Sequence, residues 1–239
     1  MIMLVLAAVT YAAPLSAQGE DPTNLQVLPE DIGRQQLRGL MMGITEALGV
    51  ECTFCHVEEV PGDRSTRDMA SDDKAPKRTA REMLRMVQDI NDRLAALPDR
   101  RSPEVRVTCA TCHAGKSRPT TLAQEVSWAI EDGGIDAVRM RYQELREEYF
   151  GSNSYDFGPG SLNDAASELI RQDPETALAI VELNLEHYPE AASTWVIKGQ
   201  IHSSLEQTDE AIAALERALE IQPNDRIARG LLRRLREGG

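Results

Sequence analysis

With 239 residues, 41% hydrophobic but only 4% aromatic, the chain suits one or two domains and is short of large side chains for a conventional core. Its net charge of −13 argues against nucleic acid as a partner. The acidity is uneven: residues 18–120 hold 17 acidic and 15 basic side chains, and residues from 121 onward hold 22 and 11. That acidic second half suits either a basic protein surface or plain solvation.

Residues 2–13 (IMLVLAAVTYAA) form an apolar run of signal-peptide length, too short to span a bilayer comfortably as a helix. Cleavage after Ala17 is expected, giving a signal peptide over 1–17 and a chain that is periplasmic or otherwise exported. An uncleaved membrane tether is the alternative, and membrane association is expected only through it. After an extended leader (Asn24 to Leu28), Pro29-Glu30-Asp31 marks a helix start. Ile32, Leu37, Leu40, Met41, Ile44 and Leu48 recur at helical spacing, and Gly49 marks the stop.

Cys52-Thr53-Phe54-Cys55-His56 follows at once. Residues 58–74 are polar and read as a loop with Pro61-Gly62 as its turn. Ser71, Asp72 and Asp73 offer caps and Pro76 a first-turn proline for the next helix. That helix is expected to run to about Leu97, with Ala80, Met83, Val87, Ile90, Leu94 and Leu97 on one face. Then Cys109-Ala110-Thr111-Cys112-His113 repeats the motif, and the two copies use all four cysteines of the chain.

The C-x-x-C-H spacing is the attachment signal for c-type haem. Two cysteines three apart on a helical turn face one side, so both thiols reach the same porphyrin edge and form thioethers. The following histidine is carried under the ring as an iron ligand. Cys52, Cys55, Cys109 and Cys112 are thus the expected thioether residues, and His56 and His113 the proximal ligands, of two covalently bound haem c groups. A single copy of the motif would also fit a zinc half-site or a redox pair.

The remaining histidines, His187 and His202, lie far downstream. Methionine is therefore the natural sixth ligand, with Met41, Met42, Met69, Met83 and Met86 as candidates; His/Met ligation raises the reduction potential. A methionine on a helix face also serves as core filler, and spacing does not choose among the five.

The segments LRGLMMGITEALGVECTFCH, KRTAREMLRMVQDIND and VTCATCHAG resemble the cytochrome subunit of photosynthetic reaction centres, over roughly residues 25–120. In that family each relevant haem follows a helix that supplies its axial methionine. The resemblance implies Met41 and Met83 as the two ligands and leaves Met42 and Met86 as packing neighbours. The family subunit carries further haems, one served by a histidine beyond the second methionine helix. Here there are two motifs and no histidine between Asn91 and Val107, so the resemblance is to a two-haem soluble relative.

From Thr120 onward the sequence turns Ala/Glu/Leu-rich. A helix pair around Gly133-Gly134 is expected over 121–150, then a loop from Gly151 to Gly160. A 34-residue self-similarity follows, the tetratricopeptide period: Ala177 with Ala211, Leu185 with Leu219, Pro189 with Pro223. The first copy spans about 159–190, and the second carries Trp195, Gly199, Ala211, Ala218 and Pro223 at repeat positions; Arg226 to Arg236 caps the stack. His202 is read as a packing residue and His187 as a solvated side chain near a helix end.

The expected fold is mainly α: a haem-organised multihaem cytochrome c domain followed by a helical tetratricopeptide-like hairpin stack. The division is 18–120 for the dihaem domain, 121–158 for a connecting helix pair and loop, and 159–239 for the repeats with their capping helix. The expected function is electron transfer between redox protein partners, with the repeats docking a protein, and with no catalytic residue. One alternative is a haem enzyme with an open iron acting on peroxide, although no distal histidine accompanies either motif. Another is a haem-stabilised sensor or docking module.

Overall fold

The computed structural model of the chain describes residues 22–98 and 104–238. The expected signal segment and its cleavage point lie outside the described residues. The protein is mostly helical, with ten helices and one two-stranded ladder among the described residues. No described helix is long and apolar enough to cross a membrane. The chain divides into two compact units, one of residues up to 45 with 51–107, the other of 46–50 with 108–239.

Helix α1 (Arg34–Leu48), which lies in the first unit except for its last three residues, begins later than the Pro29 signal suggests. Pro29 to Ile32 instead close a turn, with Ile32 N donating to the Pro29 carbonyl at 3.1 Å. The stretch from Asn24 to Leu28 is not extended either: Asn24 and Gln26 adopt left-handed backbone angles (φ 61° and 42°). Asparagine tolerates this conformation because its short polar side chain bonds locally. Here Asn24 Nδ2 donates to the Ala70 carbonyl at 2.6 Å, and Gln26 Nε2 to Asp72 Oδ2 at 3.1 Å.

Helix α2 (Cys52–Cys55) is a single turn. The expected loop 58–74 contains structure of its own. Strand β1 (Val57–Glu58) pairs antiparallel with β2 (Arg67–Asp68), Val57 opposite Asp68 and Glu58 opposite Arg67. The charged pair supplies the register that a polar, two-residue ladder otherwise lacks: Arg67 Nη2 lies 2.7 Å from Glu58 Oε1.

Helix α3 (Ala75–Ala95) has Pro76 in its first turn, as expected, and ends two residues short of Leu97. Its N-terminal half is tied down by charge. Arg81, buried, lies 2.7 Å from Asp72 and donates to the Asn24 carbonyl at 3.0 Å. Asp72 also lies 3.4 Å from Lys77, and these cations, Arg81 foremost, hold its carboxyl well below the usual carboxylate range. At the other end Asn91 clasps Val107 through both its amide groups, at 2.9 and 2.8 Å.

Among the described residues of this unit no apolar side chain is buried. Met42, Phe54, Met69, Met83 and Met86 all stand exposed.

The second unit contains helix α4 (Cys109–His113) and the helical array that follows it. Helix α5 (Leu122–Tyr149) is broken into the expected pair where Gly133 and Gly134 leave helical geometry. Helices α6 (Pro159–Leu169), α7 (Pro174–His187), α8 (Ala192–Ser204), α9 (Thr208–Ile221) and α10 (Arg226–Gly238) pack in sequence, two hairpins and a cap at the expected positions.

Val126, Val138, Tyr142, Leu162, Ile180 and Ile201 belong to one core, and Val196, Leu215, Ala218, Ala228 and Leu232 to another. Gly199 is required where α8 meets α9: a Cβ there would lie 2.7 Å from Leu215 Cγ. Buried amides join the hairpins, with Asn184 Nδ2 donating to Asn163 Oδ1 at 2.9 Å and Asn163 Nδ2 to Ser193 Oγ at 3.2 Å. His202 is buried as expected, its Nδ1 2.7 Å from Gln207 Oε1. His187 is exposed but not merely solvated, since its ring lies 5.3 Å from that of Tyr142.

Candidate functional site

Both C-x-x-C-H motifs form one helical turn, so each cysteine pair is presented from one side of a helix, as thioether formation requires. All four thiols are free, and Cys52 and Cys112 are exposed. In the first unit the Lys74 ammonium donates to the Thr53 carbonyl, which ties the start of α3 to the motif. Burial pushes the Cys55 thiol up in pKa, opposed by Lys74 and Lys77. Burial and the Lys77 charge lower the pKa of His56, favouring the neutral imidazole that ligates iron. His56 Nδ1 is buried and makes no hydrogen bond to the described residues.

The second motif is held more completely. Thr108 N donates to Thr111 Oγ1 at 3.0 Å, closing the turn at its start. After His113 the backbone enters left-handed geometry at Ala114 and Gly115 (φ 47° and 83°) and doubles back. The Lys116 carbonyl lies 2.8 Å from His113 Nδ1. With Nδ1–H donating to that carbonyl, the lone pair of Nε2 faces away and is available to a metal, and this second contact orients the ring.

The return loop is clamped from two sides of its own unit. Gly115 N donates to the Ala47 carbonyl at 2.8 Å, and Ser154 Oγ to the Ala114 carbonyl at 2.7 Å. Gly49 is indispensable here: its φ is +65°, and a Cβ would lie 2.1 Å from the Gly115 oxygen.

Lys116 itself is 7% exposed, and its ammonium donates to the Thr120 carbonyl at 2.5 Å and lies 3.8 Å from the centre of the Tyr155 ring. Burial lowers its pKa, while Glu125 opposes the shift. The Glu125 carboxylate accepts from Thr120 at 2.7 Å, from Tyr155 at 3.2 Å and from Arg141 at 2.9 and 3.0 Å. Burial would raise the Glu125 pKa, but these hydrogen bonds and the Arg141 charge outweigh it and hold the carboxyl below its ordinary value.

The candidate sixth ligands are all in the first unit. Met41 is half-buried on α1 in line with Leu37, Ile44 and Leu48, whereas Met42 is 61% exposed. On α3, Met83 and Met86 are 38% and 44% exposed, a difference too small to rank them.

The residues present fit a c-type haem at each motif: free thiols on one face of a turn, a following histidine, and apolar side chains left outside any core. What the sequence does not announce is the support around His113. Lys116, Glu125, Ser154 and Tyr155 belong to no spacing pattern, and only chain folding brings them to the motif.

Residues 61–159 match the model of the photosynthetic reaction centre cytochrome C subunit family, and residues 192–225 match a tetratricopeptide repeat. The chain is 40% identical over 96 residues to the photosynthetic reaction center cytochrome c subunit of Thermochromatium tepidum, covering 36% of this chain and 22% of that protein. It is 35% identical over 97 residues to the subunit of that name from Rubrivivax gelatinosus, covering 36% and 24%. It is 34% identical over 97 residues to cytochrome c-554 of Chloroflexus aurantiacus, covering 40% and 21%. The chain thus spans less than a quarter of the length of each of these relatives. Among solved structures, the first TPR domain of human RPAP3 aligns with 48% of this chain and 87% of its own, at 20% identity and a TM-score of 0.35, too low for a statement about fold.

Proposed function

Taking residues 61–159 as a segment similar to the photosynthetic reaction-centre cytochrome c subunit, we propose that the chain is an exported dihaem c-type cytochrome that carries single electrons between redox proteins. Cys52 and Cys55 hold one haem with His56, and Cys109 and Cys112 hold the other with His113. Met41 and Met83 complete the two irons. The haem domain spans 18–120, the helix pair and loop 121–158 connect it, and the repeats 159–239 dock a protein partner.

The observation that carries this reading is the pair of one-turn C-x-x-C-H helices, the second with its histidine held at Nδ1 by a backbone carbonyl. The haem supplies the change of oxidation state. The chain's own residues do the rest: thiols anchor, histidine and methionine saturate the iron, and the apolar faces of α1 and α3 exclude water. With both axial positions taken, neither iron offers a coordination site to a substrate, which favours electron transfer over catalysis.

A reductive titration of the purified protein followed by haem absorbance tests the reading. Two one-electron steps and two thioether-methionine charge-transfer bands are expected. A single step, or a high-spin iron that binds peroxide, would overturn it.

A further inference from the structure

The second motif is followed by a largely buried network that the repeat of C-x-x-C-H does not require. Lys116 plays two parts in it. Its carbonyl accepts a hydrogen bond from His113 Nδ1 at 2.8 Å, and its ammonium is held between the Thr120 carbonyl at 2.5 Å and the face of Tyr155 at 3.8 Å. The backbone atom that orients the ligand therefore belongs to a residue whose side chain is fixed in place by Thr120, just before α5, and by Tyr155 in the loop after it. Glu125, also bonded to Thr120 and Tyr155, brings a negative charge into the same buried cluster, and Arg141 compensates it from one side.

We propose that the Lys116–Tyr155–Glu125–Arg141 network positions His113 and sets the reduction potential of the haem held by Cys109 and Cys112, with Lys116 and Glu125 acting in opposite senses. The inference rests on the dihaem reading above. Oxidation of the iron sends one electron to a protein redox partner and leaves one more positive charge at the site; reduction returns an electron from another partner, and no bond in the network forms or breaks. A fixed cation near the ligand disfavours that added charge and raises the potential, and a fixed anion lowers it. The charges of Lys116 and Glu125 act strongly here because both side chains are largely shielded from water, whereas Arg141 is partly exposed. Lys116 is thus a positioning residue for His113 as well as a charge, and the helical unit acts on the haem rather than only docking a partner.

The test uses the full haem-loaded chain and reads both potentials by redox titration. Lys116→Met should lower one potential, shifting its electron-exchange equilibrium about tenfold, which is 59 mV for one electron. Glu125→Gln, which keeps shape and removes charge, should raise the same potential. Lys116→Arg should restore the wild-type value, and the other haem should not move in any variant. Potentials that stay fixed in both neutralised variants, or that move in the same direction, would overturn the proposal. If Lys116→Met does not fold, Glu125→Gln alone decides: a raised potential supports the network, and an unchanged or lowered one overturns it. The covalent haem on peptide 109–113 of the wild type is measured by mass beforehand. Its absence would defeat the dihaem reading itself, whereas intact haem with unmoved potentials defeats only the role of the network.

Discussion

In the helical unit, Ile180, Ile201 and Leu215 are fully enclosed by other side chains, whereas in the unit that holds Cys52–His56 the one buried residue among those described is Arg81. The first unit is instead tied by polar contacts: Arg81 to Asp72, Asn91 to Val107, Arg67 to Glu58. Met42, Met69, Met83, Met86 and Phe54 stand exposed, although Met83 lies on the apolar face of α3, and Met41 on α1 is only half-buried. The two units teach what a low aromatic count means in this chain. Among the described residues every aromatic but Phe54 lies in the second unit, whose core includes Tyr142, Tyr155 and Phe157, and the first unit has apolar faces that a porphyrin would cover on the proposed reading.

The comparison breaks most visibly if the cysteines are removed. With Cys52, Cys55, Cys109 and Cys112 all changed to alanine, the faces bearing Leu40, Ile44, Val87 and Ile90 have nothing to pack on. Each buried aliphatic side chain is worth roughly 1.5–3 kcal/mol, so a few lost contacts rival a domain stability of about 5–15 kcal/mol. Hydrogen exchange should show α1 and α3 unprotected in this variant while α6 to α9 keep their protection. Protection of α3 in the haem-free chain would contradict the contrast.

A truncation inside the helical core should do the reverse. Leu215→Ala, at a fully buried position against Gly199, is expected to cost about 2–5 kcal/mol in chemical denaturation. The haem spectrum should stay unchanged below the transition. At the join between α1 and the second motif, Gly49→Ala forces a residue with a Cβ into φ +65° and against the Gly115 oxygen. A loss of about 1–3 kcal/mol is expected from the strained backbone alone, with disturbance of one haem spectrum and not the other.

Met41→Leu and Met83→Leu keep volume and remove sulfur, so each should abolish one charge-transfer band and lower one potential. Met42→Leu and Met86→Leu should leave both bands. The reverse result at either pair would reassign that ligand. The smallest effect concerns acid. Asp72 has a folded-state pKa held below its unfolded value by Arg81, so its contribution is full above the ordinary carboxylate pKa of about 3.9 and is lost as pH falls toward the depressed value. Asp72→Asn should lower stability at neutral pH and flatten the acid limb of the stability profile of the first unit.

The sequence announced the parts that obey a spacing rule. The cysteine turns, the Pro76 helix start, the break at Gly133-Gly134 and the repeat hairpins all follow from local periodicity or backbone chemistry, and the structure has them. The misreadings fall where a side chain overrides composition. Polar residues 58–74 looked like a loop, but Glu58 and Arg67 pair across a short ladder. Asn24 and Gln26 turn left-handed to reach Ala70 and Asp72, contacts 46 residues away that no local pattern encodes. The same holds for the support of His113, because Lys116, Glu125 and Tyr155 acquire meaning only when α5 and the following loop fold back.

The central claim is that each C-x-x-C-H turn carries its own haem. Mass spectrometry of the wild type, digested and compared with Cys55→Ala and Cys112→Ala, tests it most directly. The account predicts a haem mass on the peptide containing residues 52–56 and another on the peptide containing 109–113, with each variant retaining covalent haem only at the untouched motif. Unmodified cysteines at either motif in the wild type would contradict it.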